Sequence, residues 1–272
     1  MLGQVKFKES VRRLESLPPF TIIEGEKGQG KKVAALWISK QLDIPIVVTG
    51  IKIDDIRQMI ENTAALRKPI IYLIPDADNM SIGAKNSLLK ITEEPPKNLF
   101  IVMTLQDRYN TLDTIRSRAT IFKLDNYNRK ELEEYMNSQQ ISNLNNKEDL
   151  LSIANNPGEI NNLVEIGYDS FIAYVDKVFD NILEVTTGNS FKIANKISFK
   201  EGEEGFPVET FLKVFQKVCV DTLKDIETTK EDVKLVVNMV RETSLALRDL
   251  RVRGINKKSV FDMWVLNLRR YR

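Results

Sequence analysis

The feature that most constrains this chain is an alternation between residues 20 and 124. Continuous apolar runs at 20–23, 46–49, 70–74, 99–104 and 120–124 are separated by segments of helical periodicity at 33–42, 53–62, 81–94 and 112–118. An apolar run without polar alternation is a strand buried on both faces. Such strands separated by amphipathic helices predict a parallel sheet covered on both sides. Pro95 and Pro96 end the third helix, because proline removes a backbone donor and forces the preceding residue extended. After Asp125 the strand signals largely disappear. Asn128 stands three residues before Glu131, a capping box that opens a helix running to about residue 138. Further helices are expected at 147–155, closed by Pro157 and Gly158, and at 159–166. Three or four longer helices follow from Tyr168, interrupted near Thr187, Gly188 and Asn189 and again between Gly202 and Gly205. With 272 residues the chain has room for two or three domains. The expected order is an α/β domain over 1–125, a small helical domain over 126–166 and a larger helical domain over 167–272.

Composition removes several chemistries. The chain has no histidine, which excludes a histidine-based triad and a histidine-ligated metal. Its one cysteine, Cys219, excludes an intrachain disulfide and a cysteine-rich zinc module. Cys219 falls in an apolar helical run and reads as a core thiol. Forty Lys and Arg against 38 Asp and Glu give a net charge of +2, too balanced for a protein that coats DNA. The first residues, Met1 to Glu9, are charged and lack an apolar signal core. No run reaches the ~18–20 apolar residues of a membrane span. A soluble, cytoplasmic protein is expected.

Between the first strand and the following helix lies a glycine-rich turn in which Gly25, Gly28, Gly30, Lys31 and Lys32 follow the spacing G-x-x-x-x-G-K. In such a loop, backbone N–H groups face phosphates, the lysine reaches the terminal ones, and the helix N-terminus favours an anion. The next position should be Ser or Thr to hold Mg²⁺. Lys32 stands there instead, and an ammonium has no lone pair to offer a metal. Two readings stay open: a loop that still binds ATP, or a glycine turn kept for its shape. At the end of the third strand an ATPase of this kind places two acidic residues. Here Pro75 takes the first position and Asp76 the second, while Asp78, further out, reads as a turn or helix cap. No metal site is expected.

Further motifs carry a resemblance. The segment Asn86-Ser-Leu-Leu-Lys90-Ile-Thr-Glu93-Glu94-Pro95-Pro96 resembles the N-A-L-L-K-x-L-E-E-P-P stretch of bacterial clamp-loader subunits, AAA+ proteins of the DNA polymerase III holoenzyme. Ile115-Arg-Ser117-Arg118-Ala119-Thr120 resembles their S-R-C motif with Ala for Cys. Residues 52–57 and 74–80 resemble the segments around the third strand, closest to the delta-prime type. The resemblance implies an AAA+ P-loop domain, a helical lid and a helical collar. It also implies that Arg118, beside Ser117, acts as a trans-acting arginine finger on a neighbouring subunit's ATP, with Thr104 in the place of a polar γ-phosphate sensor. Implied partners are the other clamp-loader subunits in a hetero-oligomeric ring, a sliding clamp and primer-template DNA, and no membrane. The chain departs from the pattern at Lys32, at Pro75, in lacking the zinc module, and at Asn161, which takes the place of an ATP-sensing arginine. The expectation is a largely non-hydrolysing ring member. An active ATPase with an unorthodox metal site at Asp76 and a purely structural adaptor are the rivals.

Lys90 faces either DNA phosphates or solvent. Apolar stripes at Phe171, Val175, Phe179 and Ile182, at Val208, Phe211, Val214 and Val218, and at Trp264, Val265 and Leu268 predict core and partner-helix contacts. A basic group of Arg251, Arg253, Lys257, Lys258, Arg269, Arg270 and Arg272 is either a nucleic-acid contact or a solvated face.

Overall fold

The structure, a computed structural model, describes residues 1–63, 66–141, 146–184, 196–200, 203–224, 230–252 and 254–271. The break expected at Thr187 to Asn189, together with Gly202, Arg253, Arg272 and the side chain of Ile182, lies outside the described residues. The framework divides into two compact units, Met1–Asn143 with Asn155–Glu159, and Leu144–Ala154 with Ile160–Arg272.

The first unit opens with α1 (Val5–Arg12), continues through β1 (Phe20–Glu24), α2 (Lys31–Leu42), β2 (Ile46–Val48), α3 (Ile53–Asn62) and β3 (Ile70–Ile74), and reaches α4 (Ile82–Ser87) and α5 (Leu89–Glu93). Then come β4 (Leu99–Leu105), α6 (Asp113–Arg116), β5 (Thr120–Lys123) and α7 (Arg129–Ser138). The strands form one parallel sheet in the order β2-β3-β4-β1-β5. Side chains of a strand alternate between faces. On β3, Tyr72 and Ile74 therefore join the cluster of Ile56, Ala84, Leu88, Ile91 and Ile115 from α3 to α6. Ile71 and Leu73 join Ala34, Ala35 and Ile38 of α2 on the other side. Both faces are covered, as the apolar runs predict.

Two local features differ from expectation. The helix expected at 81–94 is interrupted by a turn at Leu88, giving α4 and α5. The helix α1 was not anticipated, because its charges mask a narrow apolar stripe. Phe7 and Val11 nevertheless close the second face, with Phe7 set edge-on to Phe122 at 5.8 Å. The capping box at α7 forms as read: the Glu131 N–H donates to Asn128 Oδ1 at 3.0 Å, and the Asn128 N–H to Glu131 Oε2 at 2.8 Å.

Later elements are α8 (Lys147–Ile153), α9 (Pro157–Ile166), α10 (Tyr168–Glu184), α11 (Val208–Thr222), α12 (Lys230–Asp249) and α13 (Lys257–Arg269). Pro157 and Gly158 open α9 rather than close α8. Proline suits the first helical position, where its missing N–H would be unpaired anyway. Asn156 caps that end by accepting from the Glu159 N–H at 3.1 Å. The segment 126–166 contributes α7 and Asn155–Glu159 to the first unit, and α8 to the second. A two-stranded parallel sheet, β6 (Ile197–Ser198) and β7 (Phe206–Pro207), also stands among the helices, too short to leave a periodic signal.

The second unit packs α10 to α13 around Phe171, Val175, Phe179, Phe211, Val214, Trp264 and Leu268, all buried, while Val218 and Val265 are half-buried. Cys219 lies in this core. Burial pushes its thiol up to about 12, so at pH 8 only about one part in 10⁴ is thiolate. The folded chain is expected to resist a thiol-specific reagent at pH 8 and to react stoichiometrically in denaturant. Rapid labelling of the native protein would contradict the packing. No helix among the described residues is long and apolar enough to cross a membrane.

Candidate functional site

At the carboxyl end of the sheet, β1 runs into the glycine loop and the loop into α2. Gly28 and Gly30 have φ of 84° and 91°, left-handed conformations that glycine adopts without strain. Lys31 is buried and turned back into its own loop, donating to the carbonyls of Gly25 at 2.7 Å and Glu26 at 2.9 Å. Desolvation lowers the pKa of its ammonium, against the raising pull of Asp76, Asp78 and Glu26. Gln29 fixes the loop crest: its amide accepts from the Glu26 N–H at 2.6 Å and donates to the Asp125 carbonyl at 3.0 Å. The start of α9 sits directly on the loop. The Gly158 N–H donates to the Gly28 carbonyl at 3.0 Å, and the Asn156 amide donates to the Lys27 carbonyl at 3.2 Å. A Cβ on Gly158 would lie 2.3 Å from Gly28 Cα, so only glycine permits this approach.

Across the loop, β3 ends at Ile74 and Pro75 turns the chain. Asp76 follows in the left-handed region, at φ 48°. Its N–H donates to Thr104 Oγ1 at 2.9 Å, and Thr104 is fully buried near the end of β4. Thr104 thus satisfies the turn that presents Asp76. The Asp76 carboxylate lies 3.5 Å from Lys32 Nζ, both side chains about half exposed. Lys32, where the glycine-loop spacing calls for Ser or Thr, and Asp76, the second residue after β3, are therefore an ion pair with each other. Asp78 is used elsewhere: buried on a short 3-10 turn, it accepts from the Gln106 N–H at 2.8 Å and the Asn110 amide at 2.9 Å. Among the described residues no group of three or more His, Cys, Asp or Glu could hold a metal ion.

Ser117 and Arg118 lie exposed between α6 and β5. Ser117 Oγ donates to the Thr114 carbonyl at 3.1 Å. Arg118 donates from Nη1 to the same carbonyl at 2.7 Å and from Nη2 to Glu93 Oε1 at 3.0 Å. Its anionic partner in the isolated chain is thus Glu93. Lys90 and Asn161 are both exposed.

Sequence reasoning missed the ion pair of Glu24 with Arg108, at the end of β1 beside the loop. Arg108 Nε donates to Glu24 Oε2 at 2.8 Å, and this hydrogen bond to Glu24 raises the pKa of the guanidinium. The partners are 84 positions apart in sequence, which leaves no local signal.

A five-stranded parallel sheet in this order, with a glycine loop between its first strand and helix and a helical part after it, defines the AAA+ architecture. The Holliday junction branch migration motor RuvB of Thermotoga maritima shares that fold, with a TM-score of 0.52 at 18% identity over 80% of this chain and 77% of that one. Residues 45–128 match the family model described as DNA polymerase III, delta subunit. The chain is 26% identical over 152 residues to the delta-prime subunit of DNA polymerase III from Bacillus subtilis (strain 168), covering 44% of this chain and 46% of that protein. It is 25% identical over 187 residues to the delta-prime subunit from Buchnera aphidicola subsp. Baizongia pistaciae, covering 68% and 52%. The gamma subunit from Buchnera aphidicola subsp. Schizaphis graminum matches at 27% over 135 residues, covering 38% and 37%. By sequence the chain is similar to delta-prime subunits, and it spans between 37% and 52% of the length of these curated relatives.

Proposed function

We propose that the chain is a delta-prime-like subunit of a DNA polymerase III-type clamp loader. In this reading it is a ring member that does not itself hydrolyse ATP, and it lends Arg118 to the ATP of a neighbouring subunit while a sliding clamp is opened onto primed DNA. The work is that of a cytoplasmic replication complex, with residues 126–166 as lid and 167–272 as collar.

The observation that carries the non-hydrolysing role is the ion pair of Lys32 with Asp76. Hydrolysis at such a site needs a hydroxyl and a carboxylate on Mg²⁺ and a second carboxylate to orient water. Lys32 offers the metal no lone pair, and Pro75 offers no carboxylate. Asp76 faces the Lys32 ammonium. The ion pair contributes little stability, about 0–1 kcal/mol for exposed partners. Its effect is on chemistry: it puts a cation beside the carboxylate in the water-activating position.

The purified chain with Mg²⁺ and ATP is therefore expected to show no turnover above a protein-free blank. Turnover of ~1 s⁻¹, an ordinary rate for a phosphoryl-transfer enzyme, abolished by Lys31→Ala, would favour the active-ATPase reading instead. One observation favours the structural adaptor: Arg118 already has an anionic partner within the chain. Dependence of a partner's ATP turnover on Arg118 separates these two.

A further inference from the structure

Glu93 and Arg118 come from separate stretches of sequence, 25 residues apart, and meet at 3.0 Å. We infer that Glu93 is the positioning residue for the Arg118 finger, holding the guanidinium oriented before the neighbour's nucleotide arrives. This rests on the finger role proposed above.

The ends of the pair are anchored independently. Glu93 is the last residue of α5, which is pinned into the core by Ile91 and by buried Thr92, whose hydroxyl donates to the Leu89 carbonyl at 2.8 Å. Pro95 and Pro96 stop the helix there. Arg118 follows α6, pinned by the fully buried Ile115, and its own N–H donates to the Ile115 carbonyl at 3.2 Å. Both side chains are exposed, on backbone adjoining residues buried in the core.

Helix stability does not account for a carboxylate at this place. A negative charge at a helix C-terminus opposes the partial charge of the last carbonyls, so Glu93 costs α5 a little stability unless a cation answers it. Arg118 is that cation. The guanidinium gains in return a second fixed acceptor. Thr114 O holds Nη1 and Glu93 Oε1 holds Nη2, so the plane of the fork is set by two points rather than one. A side chain ordered in advance loses less rotamer freedom when it engages a phosphate, and small misplacements of such groups slow chemistry steeply. The carboxylate is about half exposed, so it can be exchanged for phosphate oxygens without stranding a buried charge.

The test is steady-state ATPase of the complete clamp-loader complex containing this chain, with clamp and primed DNA, comparing wild type, Glu93→Ala, Glu93→Gln and Arg118→Ala. Glu93→Ala should lower kcat by about fivefold, the worth of one exposed ion pair, with KM for ATP unchanged. Glu93→Gln keeps an acceptor oxygen in place and should restore most of the loss. Melting temperatures should stay level. A loss of turnover with Arg118→Ala but none with Glu93→Ala overturns the positioning role and leaves the finger standing. A rise in turnover with Glu93→Ala overturns it too, since Glu93 would then restrain the arginine. If Arg118→Ala changes nothing, the finger reading itself has failed, and the inference fails with it.

Discussion

Replacing Arg118 by Ala is expected to leave this chain folded and assembled while ATP turnover at the site it serves falls by about 10³ or more. That figure is the lower end of what a trans-acting arginine is worth in GTPases, where a planar guanidinium stabilises charge developing on the transferred phosphoryl group. The folded chain has little to lose. Arg118 is exposed, and the carboxylate it leaves behind is about half exposed, so no buried charge is stranded. Stability should change by no more than about 0.5 kcal/mol. Arg118→Lys should be nearly as damaging to turnover, because a point charge on a flexible stem reproduces neither the fork nor its two acceptors. Steady-state ATPase of the reconstituted complex, read beside thermal melting of the variant, checks this. Intact assembly with undiminished turnover would leave the structural adaptor as the better account.

The sheet was legible because its strands are buried on both faces and so leave continuous apolar runs. The glycine loop was legible because its backbone demands a fixed spacing. The capping box at Asn128 was legible for a similar reason: its hydrogen bonds join residues three apart. What escaped is non-local or weakly periodic. Nothing near Lys32 announces that its ammonium meets Asp76, and nothing near Glu93 announces Arg118. The first follows from the order of the strands in the sheet, the second from the packing of α5 against α6. Likewise Pro157 and Gly158 read as a stop signal, since the same residues end one helix and begin the next. Only the seat of Gly158 on Gly28 explains why glycine is required there. The helix α1 escaped because two buried residues among charged neighbours make a stripe too narrow to stand out from sequence.

The second large effect concerns the helical unit. Trp264, 2% exposed, sets its ring edge-on to Phe215 at 5.0 Å and to Phe211 at 5.9 Å, and lies against Phe261 at 5.3 Å. Its indole N–H donates to Thr243 Oγ1 at 3.0 Å inside the core, tying α13 to α12. Trp264→Ala removes the largest buried side chain of the unit and opens a cavity among three rings. Such truncations cost about 3–5 kcal/mol, which for a unit of this size lowers its melting temperature by roughly 10–20 °C. Trp264→Phe separates packing from hydrogen bonding: it keeps a ring in place but drops the donor, and should cost about 1–3 kcal/mol. The chain's other tryptophan makes the measurement specific. Trp37 lies on α2 in the first unit, 6.0 Å from Phe7. Among the described residues, the two clusters that cover the sheet are built from side chains of the first unit. In Trp264→Ala, Trp37 fluorescence should therefore still report an α/β transition near its wild-type midpoint, while far-ultraviolet circular dichroism shows the helical unit melting earlier. A single transition displaced for both probes would mean that the two units unfold together, and a loss below about 1 kcal/mol would mean that the aromatic cluster closes over the gap.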